Sequence, residues 1–168
     1  MKASIGAVRV IAGFVAALAL SGFTPAFAQA IDPVTPQNIA AILKAQGFEA
    51  NIIQPESGNP SITSHTGKLG FAVFFDACRQ DGTNCGIMVF SAEYKFAKDE
   101  DRPSQKDLNR WNLKEFGKAV ADPEGDPWLD LEINTVGGIS TRNFTDTLKW
   151  WTSLTRKFSD HIGWESLD

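Results

Sequence analysis

Cysteine, histidine and basic charge are scarce in this chain, and long apolar runs are absent after its first 28 residues. Two cysteines in 168 residues cannot build a disulfide-dense scaffold. A chain of this length does not need one, because it can bury roughly two thirds of its unfolded surface. Sixteen basic side chains against 20 acidic ones give a net charge of −4. Without Lys2 and Arg9 the remainder carries 14 basic side chains against 20 acidic, a net charge of −6. That balance argues against binding a phosphate backbone, which needs a basic face, and disfavours adsorption to anionic lipid. Internal repeats and low-complexity segments are also missing. No Gly-x-Ser-x-Gly elbow, P-loop or Cys-x-x-Cys motif is present, which removes the commonest signatures of hydrolase, nucleotide and thiol-redox chemistry.

What the N-terminus does contain is a secretory leader. Lys2 and Arg9 make a positive start, Val10 to Leu20 is continuously apolar or small, and Ser21 to Pro25 breaks the run. Ala26-Phe27-Ala28 then fits the small-x-small cleavage pattern. The apolar stretch is short of the about 20 residues that a membrane span requires. Residues 1–28 are therefore expected to be a cleaved signal peptide, with Ala28-Gln29-Ala30 as a second possible cut site. The mature chain is expected in the periplasm or outside the cell, with no insertion into a membrane. Residues 29–34 read as a linker, and 35–168 as a single domain.

Within that domain Thr35 and Pro36 suit the start of a helix, and Ile39, Ile42 and Leu43 repeat at helical spacing up to Gly47. Phe48 to Gln54 and Ser61 to Thr66 read as strands around the turn Pro55–Pro60. Leu69 to Ala77 and Gly86 to Phe96 are stronger strands. Both their faces are partly apolar, which predicts a central, covered hairpin. A second helix is expected from Ser104 to Phe116 with Leu108 and Trp111 inward, then a short strand Lys118 to Ala121. After the turn Asp122–Pro127, Leu129, Leu131 and Ile133 alternate with Trp128, Asp130, Glu132 and Asn134, so one face is core and the other wet. Gly137-Gly138 ends that strand. Ser140 caps a helix to about Ile162, with Phe144, Leu148, Trp151, Phe158 and Ile162 as its buried stripe. The fold class is α+β: an antiparallel sheet of about six strands with three helices on one face, in the order α-β-β-β-β-α-β-β-α.

Cys78 and Cys85 flank Asp81-Gly82, a pair suited to a two-residue type I′ turn. Counting outward sets Gln80 against Thr83, Arg79 against Asn84, and Cys78 against Cys85. Opposed residues lie about 4.5–5.5 Å apart, a separation that a disulfide accepts. In an oxidising compartment this reads as a structural clasp.

Other candidate chemistry is thin. Asp122-Pro123-Glu124-Gly125-Asp126 could suggest calcium, but two prolines interrupt it and the distal bidentate Glu of a calcium loop is missing. His65 and His161 have no accompanying nucleophile or orienting group in sequence. Gly137-Gly138 could cradle an anion but reads better as a turn. The tryptophans are more informative. Trp111 and Trp151 fall on apolar helix faces, whereas Trp128, Trp150 and Trp164 have no obvious buried place. Trp128 and Trp150, with Asp130 and Glu132, form the candidate surface for a peptide, a protein partner or a second copy of the chain.

Several pieces in order resemble the YbjN family of bacterial sensory transduction regulators. They are Gln46-Gly47-Phe48-Glu49, the Phe71-to-Phe90 hairpin and Leu108-Asn109-Arg110-Trp111-Asn112. Phe116-Gly117-Lys118-Ala119, Asp122 to Pro127 and Gly137-Gly138-Ile139-Ser140 follow, and the Trp-rich final helix closes the series. The resemblance spans nearly the whole mature chain. It implies a type III secretion chaperone-like fold, a curved antiparallel sheet under helices, often dimeric, with no cofactor and no known enzymatic activity. The expectation is an exported, non-enzymatic protein-binding or chaperone-like module. The alternatives are a periplasmic ligand- or calcium-sensing domain, or an enzyme with an acidic site on the open sheet.

Overall fold

The computed structural model describes residues 30–56 and 58–165. The expected signal peptide, residues 1–28, lies outside the described residues. Helix α1 spans Pro36–Ala45. It starts where expected: the Thr35 hydroxyl accepts a bond from the Asn38 N–H at 3.2 Å, and Pro36 fills a position that needs no N–H. Gly47, at φ 86°, closes it. Its N–H bonds the Lys44 carbonyl and the next N–H, of Phe48, bonds that of Leu43, the paired bonds of a left-handed helix end.

Of the residues expected as a linker, the described ones, 30–34, pack with the domain. Ala30–Ile31 form strand β1, and Val34 is fully buried. Strand β1 pairs antiparallel with β8, Ile139–Ser140, through Ala30 opposite Ser140 and Ile31 opposite Ile139. The pairing explains Gly138, which has φ 83°; a Cβ there would lie 2.9 Å from the Ile31 carbonyl oxygen. An apolar side chain at 31 and a glycine at 138 thus tie the start of the domain to the segment that leads into its last helix. The sequence order gains a strand at each of these places, β1 before α1 and β8 before the last helix.

The main sheet is antiparallel throughout. Its strands are β2 (Asn51–Ile53), β3 (Ser61–Thr66), β4 (Leu69–Asp76), β5 (Ile87–Glu93), β6 (Lys118–Ala121) and β7 (Pro127–Asn134). They lie in the order β2-β3-β4-β5-β7-β6. The architecture is α+β, as the sequence predicts. Leu69, Phe71, Val73 and Phe75 point to one face and Phe90, Leu129 and Leu131 share it. Helix α2 (Gln105–Asn112) and helix α3 (Thr141–Ile162) pack in the same core. Trp151 of α3 meets Phe71 at 5.9 Å and Phe90 at 5.6 Å, and Trp111 of α2 meets Phe158 of α3 at 4.9 Å. Each large side chain buried here contributes roughly 1.5–3 kcal/mol. The stripe predicted for α3 is buried, with Leu154 and Thr155 added to it.

Among the described residues the central hairpin is covered on one face only. Phe74 is 45% exposed on the other, and Val89 and Ile87 beside it are half-buried. Apolar residues on both faces identified a central strand correctly, and the three helices of the described residues pack on one face, the Phe71 side, as expected. The turn also differs from expectation. The Arg79 N–H bonds the Thr83 carbonyl and the Gly82 N–H bonds the Arg79 carbonyl, both at 2.8 Å. Only Gly82 of the Asp81-Gly82 pair has positive φ. This is a three-residue loop ending on a left-handed glycine rather than a type I′ turn. Asp81 fixes it by accepting bonds from the Thr83 N–H and hydroxyl, and those bonds hold its carboxyl below the usual range. Arg79 therefore faces Thr83, one residue off the simple count. Asn84, at φ 49°, absorbs the slip, and Gly86 returns to register on Ala77. Cys78 and Cys85 still meet and are disulfide-bonded, with Cα atoms 3.7 Å apart.

Helix α2 stops at Asn112, four residues short of the predicted Phe116. It starts at Ser104 as expected, and Asp107 completes a reciprocal cap with that residue. At the other end the Lys114 and Glu115 N–H groups both turn onto the Trp111 carbonyl. The Trp111 indole N–H then donates to the Gly117 carbonyl at 2.8 Å. Asn112 uses its amide like a strand residue: its NH2 donates to the Ala119 carbonyl and its oxygen accepts from the Ala119 N–H. These bonds fix where β6 begins.

Candidate functional site

Strand β7 carries three of the four residues that the sequence singles out. Its alternation is as predicted, with Leu129 and Leu131 buried and Glu132 and Asn134 exposed. Trp128, Asp130 and Glu132 share the uncovered face. Two of them are already engaged. The Trp128 indole N–H reaches the Asp122 carboxylate at 3.4 Å and its ring is half-buried. Asp130 accepts a 2.5 Å bond from the Ser91 hydroxyl on β5, and Lys118 of β6 stands opposite it. Glu132 is the exposed member.

Trp150 does not join that face. It projects from α3, on the helix side of the sheet, and is 44% exposed. Its neighbour is Phe116, 80% exposed, with ring centroids 5.4 Å apart in an edge-on arrangement. Glu132 and Trp150 nevertheless line one groove, with a volume of about 540 Å³, together with Leu131, Ile133 and Ile139. The structure therefore divides the predicted surface. Glu132 and Trp150 come together, while Trp128 and Asp130 lie further along β7. Phe116 was missed because the second helix was read through it. The available signal was spacing: Phe116 falls five residues after Trp111, off the stripe that Leu108 and Trp111 define.

The groove lies along an open strand edge. Strand β6 pairs with β7 only from Pro127 to Asp130, although β7 continues to Asn134. On the other side β7 is paired with β5 from Trp128 to Asn134. Alternate residues of an antiparallel strand direct both backbone groups to the same neighbour. Thr135 donates to the Gly86 carbonyl and Pro127 accepts from Tyr94, so the odd-numbered residues face β5. The N–H and C=O of Glu132 and Asn134 face outward, past the end of β6. The signal for this in the sequence is the difference in strand length, four residues against eight.

Glu93, Asp122 and Asp126 bring carboxylate oxygens within 4.8 Å of one another, the nearest approach to the calcium reading. The arrangement is an ion-pair network. Buried Asp126 accepts from Arg102 Nε at 2.8 Å and Lys95 Nζ at 3.1 Å, and Lys95 also pairs with Glu93. Burial alone would raise the Asp126 carboxyl, but the bonds from Arg102 and Lys95 outweigh it and hold it low. Its carboxylates raise the partners in turn, Glu93 acting first on Lys95 and Asp126 on Arg102. The Asp122–Asp126 segment is a hairpin loop with the bond pattern of the Arg79–Thr83 loop: Asp122 N–H to Asp126, and Gly125 N–H to Asp122.

The remaining candidates make contacts within the fold. His65 lies on β3 with Glu49 at 3.7 Å, while the His161 ring is 2.9 Å from the Asp107 carbonyl and packs on Trp111. Gly137 and Gly138 form a turn closed by the Gly138 N–H on Thr135. Trp164 packs edge-on against Tyr94 and donates to the Lys95 carbonyl.

These features define a small α+β domain with one helix-covered sheet face, one open face and an unfinished strand edge next to an aromatic pair. Comparison with family models makes the assignment specific. Residues 35–164 match the YbjN model, described as "Putative bacterial sensory transduction regulator". The chain belongs to the YbjN family, which is a regulator-type family and not an enzyme family. No curated protein matches the chain significantly.

Proposed function

We propose that this chain is an exported, non-enzymatic regulator that acts by holding a protein partner. The aromatic corner of Trp150 and Phe116, beside the open end of β7, is its contact surface. The observation that carries this reading is the exposed ring pair itself. Large aromatics are enriched where protein partners bind, and a folded domain gains nothing by leaving two of them in water. Export is supported by the leader pattern of residues 1–28 and by the Cys78–Cys85 disulfide, a bond that persists in oxidising compartments.

Site-specific photocrosslinking in the producing bacterium tests both parts. A photoreactive side chain at position 150 is expected to trap one protein in the periplasmic fraction, on a chain that has lost its leader. The same group at Lys44, exposed on α1, should not trap it, and Phe116→Ser should abolish the product at 150. Equal trapping from both positions, or a small molecule as the sole adduct, refutes the surface. Retention of the leader in the cytoplasm refutes export.

A further inference from the structure

Resting on the protein-binding reading above, we infer that the open edge of β7 takes an added β-strand. Its occupant is an extended segment in which a basic residue is flanked by apolar ones. The ladder is begun and left incomplete by the chain itself. Strand β6 sets Lys118 in register opposite Asp130 on the uncovered face, a cation across from a carboxylate without a direct ion pair between them. Continued by two residues, the same register would set a side chain opposite Glu132. Among the described residues nothing supplies it. Trp111 holds the Gly117 carbonyl, and Phe116 turns to the helix side against Trp150. The outward N–H and C=O of Glu132 are left as a template for an added strand, which bonds through its main chain.

The two faces of that template specify the occupant. A residue opposite Glu132 stands on the same face as this exposed carboxylate, and among the described residues no cation pairs with it. A lysine or arginine there repeats the Lys118–Asp130 pairing one step along. The residues before and after it turn to the helix side, where Leu131, Ile133, Ile139 and Trp150 form the apolar part of a groove that Ser140, Asn143 and Thr147 also line. An apolar–basic–apolar segment therefore satisfies both faces and the backbone together. Two copies of β7 centred on Glu132 would instead oppose like charges.

The test uses the purified protein and a capped peptide, Ser-Thr-Val-Lys-Val-Thr-Ser, followed by amide NMR. The amide signals of Glu132 and Asn134 are expected to shift. The lysine peptide should bind about five-fold tighter than its glutamate counterpart, the scale of one cross-strand charge pair made or opposed. Glu132→Lys, a surface change, should reverse that preference. N-methylation of the peptide lysine removes its main-chain donor and should abolish binding. Undiminished binding of the N-methylated peptide, or a preference that Glu132→Lys leaves intact, overturns strand addition. A concentration-dependent dimer broken by Glu132→Lys overturns the peptide in favour of a second copy. If no peptide binds while position 150 still crosslinks its partner, strand addition fails and the protein-binding reading stands.

Discussion

Asn112→Ala should loosen β6 from α2, and the cost can be worked from two hydrogen bonds. The Asn112 NH2 donates to the Ala119 carbonyl at 2.8 Å and its oxygen accepts from the Ala119 N–H at 2.7 Å. Ala119 is buried, so both of its groups need partners; Asn112 is exposed, so water can replace part of the loss. A protein hydrogen bond nets about 0.5–1.5 kcal/mol. With partial replacement by water the pair is worth about 1–2 kcal/mol. For a domain of this size that lowers Tm by roughly 3–8 °C. Urea titration should show a lower midpoint with an unchanged slope. Asn112→Asp is the sharper variant. A carboxylate still accepts from the Ala119 N–H but sets an oxygen against the Ala119 carbonyl, so it should destabilise at least as much as alanine. Hydrogen exchange at the Ala119 amide should accelerate in both. Wild-type stability in Asn112→Ala, with Ala119 still protected, would refute the bridge as the anchor of β6.

Three further outcomes follow from the same structure. Reducing Cys78–Cys85, which closes a short loop, should cost about 2.5 kcal/mol by chain entropy; calorimetry with and without reductant measures it, and no change in Tm would remove the clasp from the stability of the fold. Trp111→Phe should destabilise by about 1–3 kcal/mol more than Trp151→Phe, because Trp111 bonds the Gly117 carbonyl whereas the buried Trp151 N–H has no partner among the described residues; equal losses in urea would contradict this. Asp126 is held below its unfolded pKa, so its contribution is present above about pH 4 and fades as pH falls through the lower folded value. Stability measured from neutral pH to about pH 2 should therefore fall less steeply in Asp126→Asn than in wild type, and parallel curves would contradict the assigned shift.

Where local chemistry decides structure, the sequence was readable. Thr35, Ser104 and Ser140 are all N-caps, and Gly47 closes α1 because a left-handed residue is needed there. The strict alternation of β7 survives because one face is buried and the other is not. Long-range geometry was less legible. The pattern of Ala30 and Ile31 is too short to read as a strand, and they form one only because β8 arrives beside them. Asp81-Gly82 fits two hairpin loops, and the Thr83 side chain selects between them. Two-faced hydrophobicity placed β4 and β5 at the centre of the sheet but could not say that Phe74 stays exposed on the far face.

The same distinction accounts for the candidate site. Residue type picked out Trp150 and Glu132, whereas their meeting depends on where β6 ends. That end is set by Trp111 and Asn112, whose side chains hold the backbone on either side of Lys118. Gly117 lies between them because a Cβ there would approach Leu129 Cδ1 to 2.8 Å. A side chain at 117 would press on the buried Leu129 beneath the start of β6, and loss of the Trp111 bond would release the Gly117 carbonyl where the chain turns away from β7. In either case the ladder opposite Glu132 would change. Trp111-Asn112 and Phe116-Gly117, which carry part of the family resemblance, are thus the residues that hold this strand edge open, without themselves providing its backbone template.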